Sequence, residues 1–379
     1  SFRCAKQILD GAMAVRAQGD GMEQGRGLHE RVDGELKPVE GSARMFILPN
    51  TLNRIEALAR VRAWSAATNN DEGWTTPDIA LKILVIVHRM AANRLGFGGI
   101  YSALNDKTSE GMKQGMQDGT GWPVRPFLSF ALPIVAAVKA GNEFAAMNLL
   151  RKFSPRLAPG ALTGRRAAAV LRELHAAMSR LVAMLDEAGT TIGDIALHLC
   201  DTGLFEFDDR YARVLGFVRD VADAAQEPEA ADAVPAEGLS SDAAMAKFFK
   251  CSAQELWPYE RYVSEGSPYA TQHGVKGAQF ERVMVVMDEE ESDYRTYNYE
   301  RVFASAEARA ADRARALGGD ENTWSRTLRL LYVCCTRAQR GLVLTFFVAD
   351  PTTTLENVVA SGILPRSAVF TQEVLAEWP

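Results

Sequence analysis

Apolar residues recur at helical spacing almost from the first residue. Ile8, Leu9, Ala12 and Val15 share one face within 5–17, and Gly19 and Gly21 then break the pattern, which predicts a helix leaving a loop at Phe2 and Arg3. A glycine-rich polar stretch runs to Ser42 and gives way to the apolar run 45–48, which reads as a buried strand. Thr51 is placed to cap the next helix, whose stripe is Leu52, Ile55, Leu58 and Val61. The run 79–87 is β-branched and nearly continuous, the pattern of a central strand buried on both faces. Strand, helix, strand in this order predicts a parallel α/β sheet with right-handed crossovers.

From about 102 to 268 the β-branched runs disappear. Glycine and glutamine crowd 111–121, helical patterns follow at 127–140, 143–152, 165–187 and 211–225, and 226–241 has the Ala/Glu/Asp/Pro composition of a loop or linker. After Pro268 the alternation returns, with a strand at 282–287, two helical stretches between 299 and 340, and a strand at 342–348. Each flank alone has too few strands to close a core. One sheet interrupted by a helical insertion accounts for both, giving 1–104 and 269–379 as two parts of one α/β domain and 105–268 as the insertion.

Composition adds limits. With 379 residues, 47% of them hydrophobic, the chain can bury more than one core. The net charge of -6 announces no nucleic-acid binder, so any such site must be local. Five cysteines, Cys4, Cys200, Cys251, Cys334 and Cys335, form no metal-ligand spacing and read as reduced, mostly buried thiols. No apolar run is long enough to span a bilayer and no signal-peptide order opens the chain, so a soluble cytoplasmic protein is expected. The first residue is Ser1, which reads as a piece cut from a longer protein.

Three segments carry candidate chemistry. In Ser1-Phe2-Arg3-Cys4, an aromatic and a guanidinium at a loop-to-helix junction can stack on a base and grip a phosphate, although a core Phe and a solvated Arg explain four residues as well. In the segment from Thr271 to Phe280, two glycines flank Lys276 after Thr271 and His273, a backbone able to approach a phosphate chain closely, or else a loop with a solvated Lys. In the third, Leu328, Leu331, Cys335 and Ala338 bury one helix face, and Arg337 lies off that face by about a third of a turn.

Taken in order, these segments resemble the C-terminal motor motifs of superfamily 1 DNA helicases of the UvrD/Rep/PcrA kind. Ser1 to Cys4 matches that family's Asn-Tyr-Arg-Ser, Thr271 to Phe280 matches Thr-x-His-x-x-Lys-Gly-x-Glu-Phe, and Tyr332 to Ala338 matches Tyr-Val-x-x-Thr-Arg-Ala. The segment 83–94 resembles the strand and Arg-containing turn between the first two motifs, and 142–155 resembles, more distantly, a helix of the family's inserted subdomain. The resemblance implies an α/β fold with a RecA-like, P-loop-NTPase-type parallel sheet, the second motor domain, interrupted by a mainly α-helical insertion.

It also implies roles. Arg3 and Arg337 match the arginine fingers that reach the γ-phosphate of ATP, and Phe2 matches the Tyr that stacks on adenine. Thr271 and His273 match residues that touch DNA, and the Lys276-Gly277 turn links that contact to the nucleotide. His88 and Arg89 would add contacts to the single strand. Gln279 departs from the family's Glu, which accepts a hydrogen bond from the ribose; an amide oxygen can still accept, so altered nucleotide selection is expected.

No Walker A pattern occurs, nor a strand ending in an Asp-Glu pair for Mg²⁺, so the missing half, a RecA-like domain, is expected upstream of Ser1. The run from Asp288 to Glu291 reads as a solvated turn rather than a metal site. The expected function is the half of an ATP- and Mg²⁺-dependent helicase or translocase, 3′ to 5′ by resemblance, that senses ATP and grips single-stranded DNA or a single/double-strand junction. A chain holding only this half should not turn over ATP. The alternative is a non-catalytic DNA-binding or docking module built on the same fold, beside a nuclease in repair or phage defence. Basic clusters at Arg151, Lys152, Arg156, Arg165, Arg166 and Arg172, and at Arg309, Arg313 and Arg315, could offset the acidic charge locally, or simply be solvated helix faces.

Overall fold

The computed structural model describes residues 3–376 except 24, 77–80, 87, 159, 161–165, 212, 217–240, 265–266, 273–274, 276 and 290–296. The chain divides into two compact units, one made of Ser1–Arg94 with Gly266–Pro379, the other of Leu95–Glu265. In chain order the first unit opens with α1 (Lys6–Gln18), the strands β1 (His29–Val32), β2 (Glu35–Pro38) and β3 (Ser42–Pro49), helix α2 (Arg54–Asn69), strand β4 (Leu81–Val85) and α3 (His88–Leu95).

The second unit is helical among its described residues: α4 (Gly98–Asn105), α5 (Glu110–Gln117), α6 (Leu132–Lys139), α7 (Glu143–Phe153), α8 (Arg166–Asp186), α9 (Ile192–Asp201), α10 (Ser241–Phe249) and α11 (Leu256–Val263). Its core is strongly aromatic. Phe130, Phe153, Phe205, Phe207 and Tyr211 form a continuous chain of ring contacts, each pair 4.6–5.6 Å between centroids. Phe144 on α7 stands 78% exposed outside it.

The first unit then resumes with β5 (Tyr269–Thr271), β6 (Phe280–Met287), α12 (Tyr299–Val302), α13 (Ala306–Leu317), α14 (Thr323–Cys335), β7 (Ala338–Val348), α15 (Pro351–Ser361), β8 (Val369–Thr371) and α16 (Gln372–Ala376). Its sheet has six strands in the order β5-β4-β6-β7-β3-β8, and every neighbouring pair is parallel. The fold is therefore α/β, a six-stranded all-parallel sheet with helical segments. The near-continuous apolar strands β6 and β7 occupy the middle, as burial on both faces requires. Helices α1 and α14 lie side by side against β3, β6 and β7. No described helix is long and apolar enough to cross a membrane.

Several expectations need correction. The strand at 79–87 is β4, Leu81–Val85, with 79, 80 and 87 outside the described residues, and it lies one strand from the edge instead of at the centre. Helix α2 is capped by Asn53, not Thr51: its Oδ1 accepts from the Ile55 and Glu56 N–H groups at 3.0 and 3.2 Å. That later start leaves Ile55 in the first turn, 56% exposed, while Ala57, Leu58, Val61 and Trp64 are buried. The glycine-rich stretch contains the β1–β2 hairpin, closed by Asp33 and Gly34 at φ 55° and 86°. Three helices, not two, lie between 299 and 340 because α12 is a single turn of four residues. The loop expected at 226–241 falls almost wholly outside the described residues.

Candidate functional site

The described site residues fall at the two opposite ends of the strands of the parallel sheet, its two edges in this sense. At the edge where β6 and β7 begin, the Cys4 thiol donates to the Thr336 carbonyl at 3.6 Å, and the Ala5 N–H donates to Gln339 O at 2.7 Å. These bonds dock the start of α1 on the start of β7 and bring the neighbours of Arg3 and Arg337 together. Arg3 is exposed. Gly41 makes the close approach possible: it sits at φ 64°, and a Cβ there would meet the Ala5 side chain and lie 2.8 Å from Arg340 O.

Arg337 follows the last turn of α14, and its guanidinium is held on three sides. Nε donates to Val333 O at 3.0 Å, Nη1 to Ala278 O at 3.1 Å, and Nη2 to Thr336 Oγ1 at 3.3 Å. The second bond joins the end of α14 to the 271–280 segment, which the Phe280 N–H reinforces by donating to Arg337 O at 2.9 Å. Gly277 bends that segment at φ 90°, a conformation that a side chain would strain. Gln279 Oε1 accepts from Gln339 Nε2 at 3.2 Å, which uses one of the two lone pairs of the amide oxygen.

Beneath Arg337, Cys334 and Cys335 are buried thiols, and burial pushes both up, Cys335 to about 12. Neither is a nucleophile at neutral pH. Cys4 is buried too, whereas Cys251 is half-buried and Cys200 exposed.

No protein-family model matches the chain, and no curated protein matches it.

The other edge holds Thr271, His88 and Arg89. Thr271 ends β5 and is buried, while His88 and Arg89 open α3 just past β4. Eight residues of β6 separate the two edges, roughly 25 Å at the rise of a strand, so the structure gathers Arg3, Arg337, Gly277 and Gln279 apart from Thr271, His88 and Arg89. Phe2, His273 and Lys276 lie outside the described residues. Burial lowers His88 to about 4, so at neutral pH it is an uncharged imidazole and can offer a hydrogen bond but no charge to a phosphate.

Sequence reasoning passed over Gln272. Fully buried, it donates from Nε2 to Val286 O at 3.2 Å and accepts from the Tyr299 hydroxyl at 2.6 Å, which ties the end of β5 to β6 and α12. The only hint was a polar residue between two apolar strands.

The acidic run after β6 is not the solvated turn expected. Asp288 is fully buried between Arg54 and Arg94, with contacts of 3.0 and 3.4 Å, because α2 and α3 each turn a cation toward the end of β6. Glu289 accepts from the Tyr299 and Glu300 N–H groups at the start of α12, and burial lifts its carboxyl to about 7. Glu290 and Glu291 lie outside the described residues, as does Arg165. Of the basic clusters, Arg156 pairs with Glu173, the Lys152 ammonium lies 4.9 Å from the Phe153 ring centroid, and Arg315 pairs with Asp312. Arg151 and Arg172 remain on exposed faces.

Proposed function

We propose that the chain is the second RecA-like motor domain, with a helical inserted subdomain, of an ATP-driven DNA helicase or translocase similar to the UvrD, Rep and PcrA proteins. The carrying observation is the bond pair Cys4–Thr336 and Arg337–Ala278, which ties three separately recognised segments together at one sheet edge. In this reading ATP arrives on a second motor domain, and Arg3 and Arg337 meet its γ-phosphate, where planar guanidinium donors stabilise charge developing in phosphoryl transfer. As Arg337 turns to the phosphate it releases Ala278 O, freeing the 271–280 segment whose other end carries Thr271 and, through Gln272, is fixed to β6. That segment joins nucleotide state to DNA grip, with Arg89 adding a phosphate contact. Mg²⁺ accompanies the nucleotide in such motors. Among the described residues no three His, Cys, Asp or Glu side chains converge to hold a metal, and the reading assigns its ligands to the other motor domain.

The test is single-stranded-DNA-stimulated ATP hydrolysis by the full-length parent carrying Arg337→Ala. A loss of about a thousandfold is expected. Undiminished hydrolysis would remove Arg337 from the mechanism.

A second reading, a non-catalytic DNA-binding or docking module, is favoured by one observation: each of the three guanidinium nitrogens of Arg337 already donates one hydrogen bond inside the chain, three of its five N–H groups. A parent that binds single-stranded DNA with normal salt dependence yet hydrolyses no ATP would select it.

A further inference from the structure

The C-terminal halves of α1 and α13 and the length of α14 enclose a trough of about 490 Å³, within the range of small-ligand sites. Its apolar lining includes Val15, Leu328, Val333 and Tyr332, whose ring centroid lies 5.0 Å from the Arg16 guanidinium, and Leu317 in the same lining is 69% exposed. The rim is charged, and the charges do not cancel. Arg16 is held by both oxygens of Asp20 at 2.9 and 2.6 Å, and Arg329 pairs with Glu321. Arg313, which is exposed, donates only to the backbone carbonyl of Ala17 at 3.2 Å and has no carboxylate within ion-pair distance among the described residues. An apolar lining with one uncompensated guanidinium matches an apolar body that carries one negative charge.

We propose that this trough is a binding site for a small amphiphilic monoanion, an aromatic or aliphatic body bearing one carboxylate or sulfonate, and that its occupancy is transmitted to Arg337. The route is one residue long. Val333 lines the trough, and its carbonyl accepts from Arg337 Nε at 3.0 Å. Tyr332, also in the lining, accepts through its carbonyl from the Thr336 hydroxyl at 3.0 Å, and Thr336 Oγ1 in turn accepts from Arg337 Nη2. A ligand seated against Tyr332 and Val333 therefore bears on two of the groups that orient the guanidinium. The binding step stands by itself; its value as control of ATP turnover rests on the function proposed above.

The test uses the 379-residue chain with two probes of one shape, anilinonaphthalene sulfonate and the uncharged N-phenylnaphthylamine, followed by fluorescence. The Nε–H resonance of Arg337 is followed in parallel. Both probes should bind saturably at one site. Arg313→Gln should weaken the sulfonate about tenfold and leave the amine within about twofold, the size of one charged hydrogen bond. Leu317→Asp should weaken both, and both substitutions change exposed side chains, so unchanged melting of the variants shows that the fold is kept. The Arg337 resonance should move with sulfonate occupancy. Equal affinities in wild type and both variants would overturn the site, and a bound sulfonate with a stationary Arg337 signal would overturn the coupling. Neither readout depends on ATP hydrolysis, so failure of the motor reading leaves a distinguishable result.

Discussion

The thiol of Cys4 and the carbonyl of Thr336, 332 positions apart in sequence, meet at 3.6 Å and fasten the beginning of α1 to the end of α14. Cys4 is 1% exposed, so its contribution is burial of a small apolar group more than a strong hydrogen bond. Cys4→Ala is expected to cost about 1 kcal/mol in urea unfolding. Cys4→Phe should cost more through overpacking; under the motor function proposed above it should also depress ATP turnover beyond its effect on stability, because Arg3 and Arg337 would be displaced together.

Asp288 offers a sharper test of the fold. Removing it strips the buried Arg94 and the half-buried Arg54 of their shared carboxylate, and Asp288→Ala should destabilise the first unit by about 3 kcal/mol in denaturant unfolding. A cost below about 1 kcal/mol would mean that water reaches the pair.

Two groups should give opposite pH dependences. Glu289 binds its proton more tightly in the folded chain, at about 7 against an ordinary 4.5, so its favourable contribution belongs to acid pH and is lost as pH rises through that window. Glu289→Gln, which keeps an acceptor for the α12 N–H groups, should raise the unfolding midpoint at about pH 8 and leave it nearly unchanged at about pH 4. His88, lowered from 6.5 to about 4, is favourable when neutral, and that contribution is lost as pH falls through the same span. His88→Gln should therefore relieve acid sensitivity near pH 5 on the order of 1 kcal/mol while doing little at pH 8.

Gly341 in β7 lies against the fully buried Trp74, and a Cβ there would stand 2.7 Å from Cζ2 of the indole. Gly341→Ala should lower stability by about 1–3 kcal/mol, measured by thermal unfolding, with partial recovery in the pair with Trp74→Phe.

What could be read from the chain follows from how local each cause is. The strands β6 and β7 announce themselves because burial on both faces writes an unbroken apolar run, and α1 and α14 because one buried face repeats at helical spacing. The hairpin β1–β2 is invisible to that logic: all eight of its residues are exposed, so no apolar alternation marks it. The misreading of Asp288 has a different origin. Its partners, Arg54 and Arg94, lie 234 and 194 positions away, and nothing near Asp288 distinguishes a buried carboxylate from a solvated one. The Gln279–Gln339 contact is equally hidden, since the amide that engages the Gln279 oxygen lies 60 positions away. Motif spacing points to the residues at each edge of the sheet, but their separation by the length of β6 becomes apparent only once the strands are paired.

The parallel pairing of β4 with β5 has a practical corollary for anyone wishing to simplify this protein. β4 leaves the sheet at one edge, and β5 runs in the same direction beside it, Ile83 opposite Tyr269. The intervening residues must therefore return the chain to the other side before β5 can begin. A shortened version that joined Val85 to Tyr269 by a tight turn would reverse the strand and break the register; one that removed Leu95–Glu265 but kept α3 within a crossover of a dozen or more residues would preserve it. The helical unit is thus placed where evolution or design can exchange it wholesale, provided the replacement makes the same return journey.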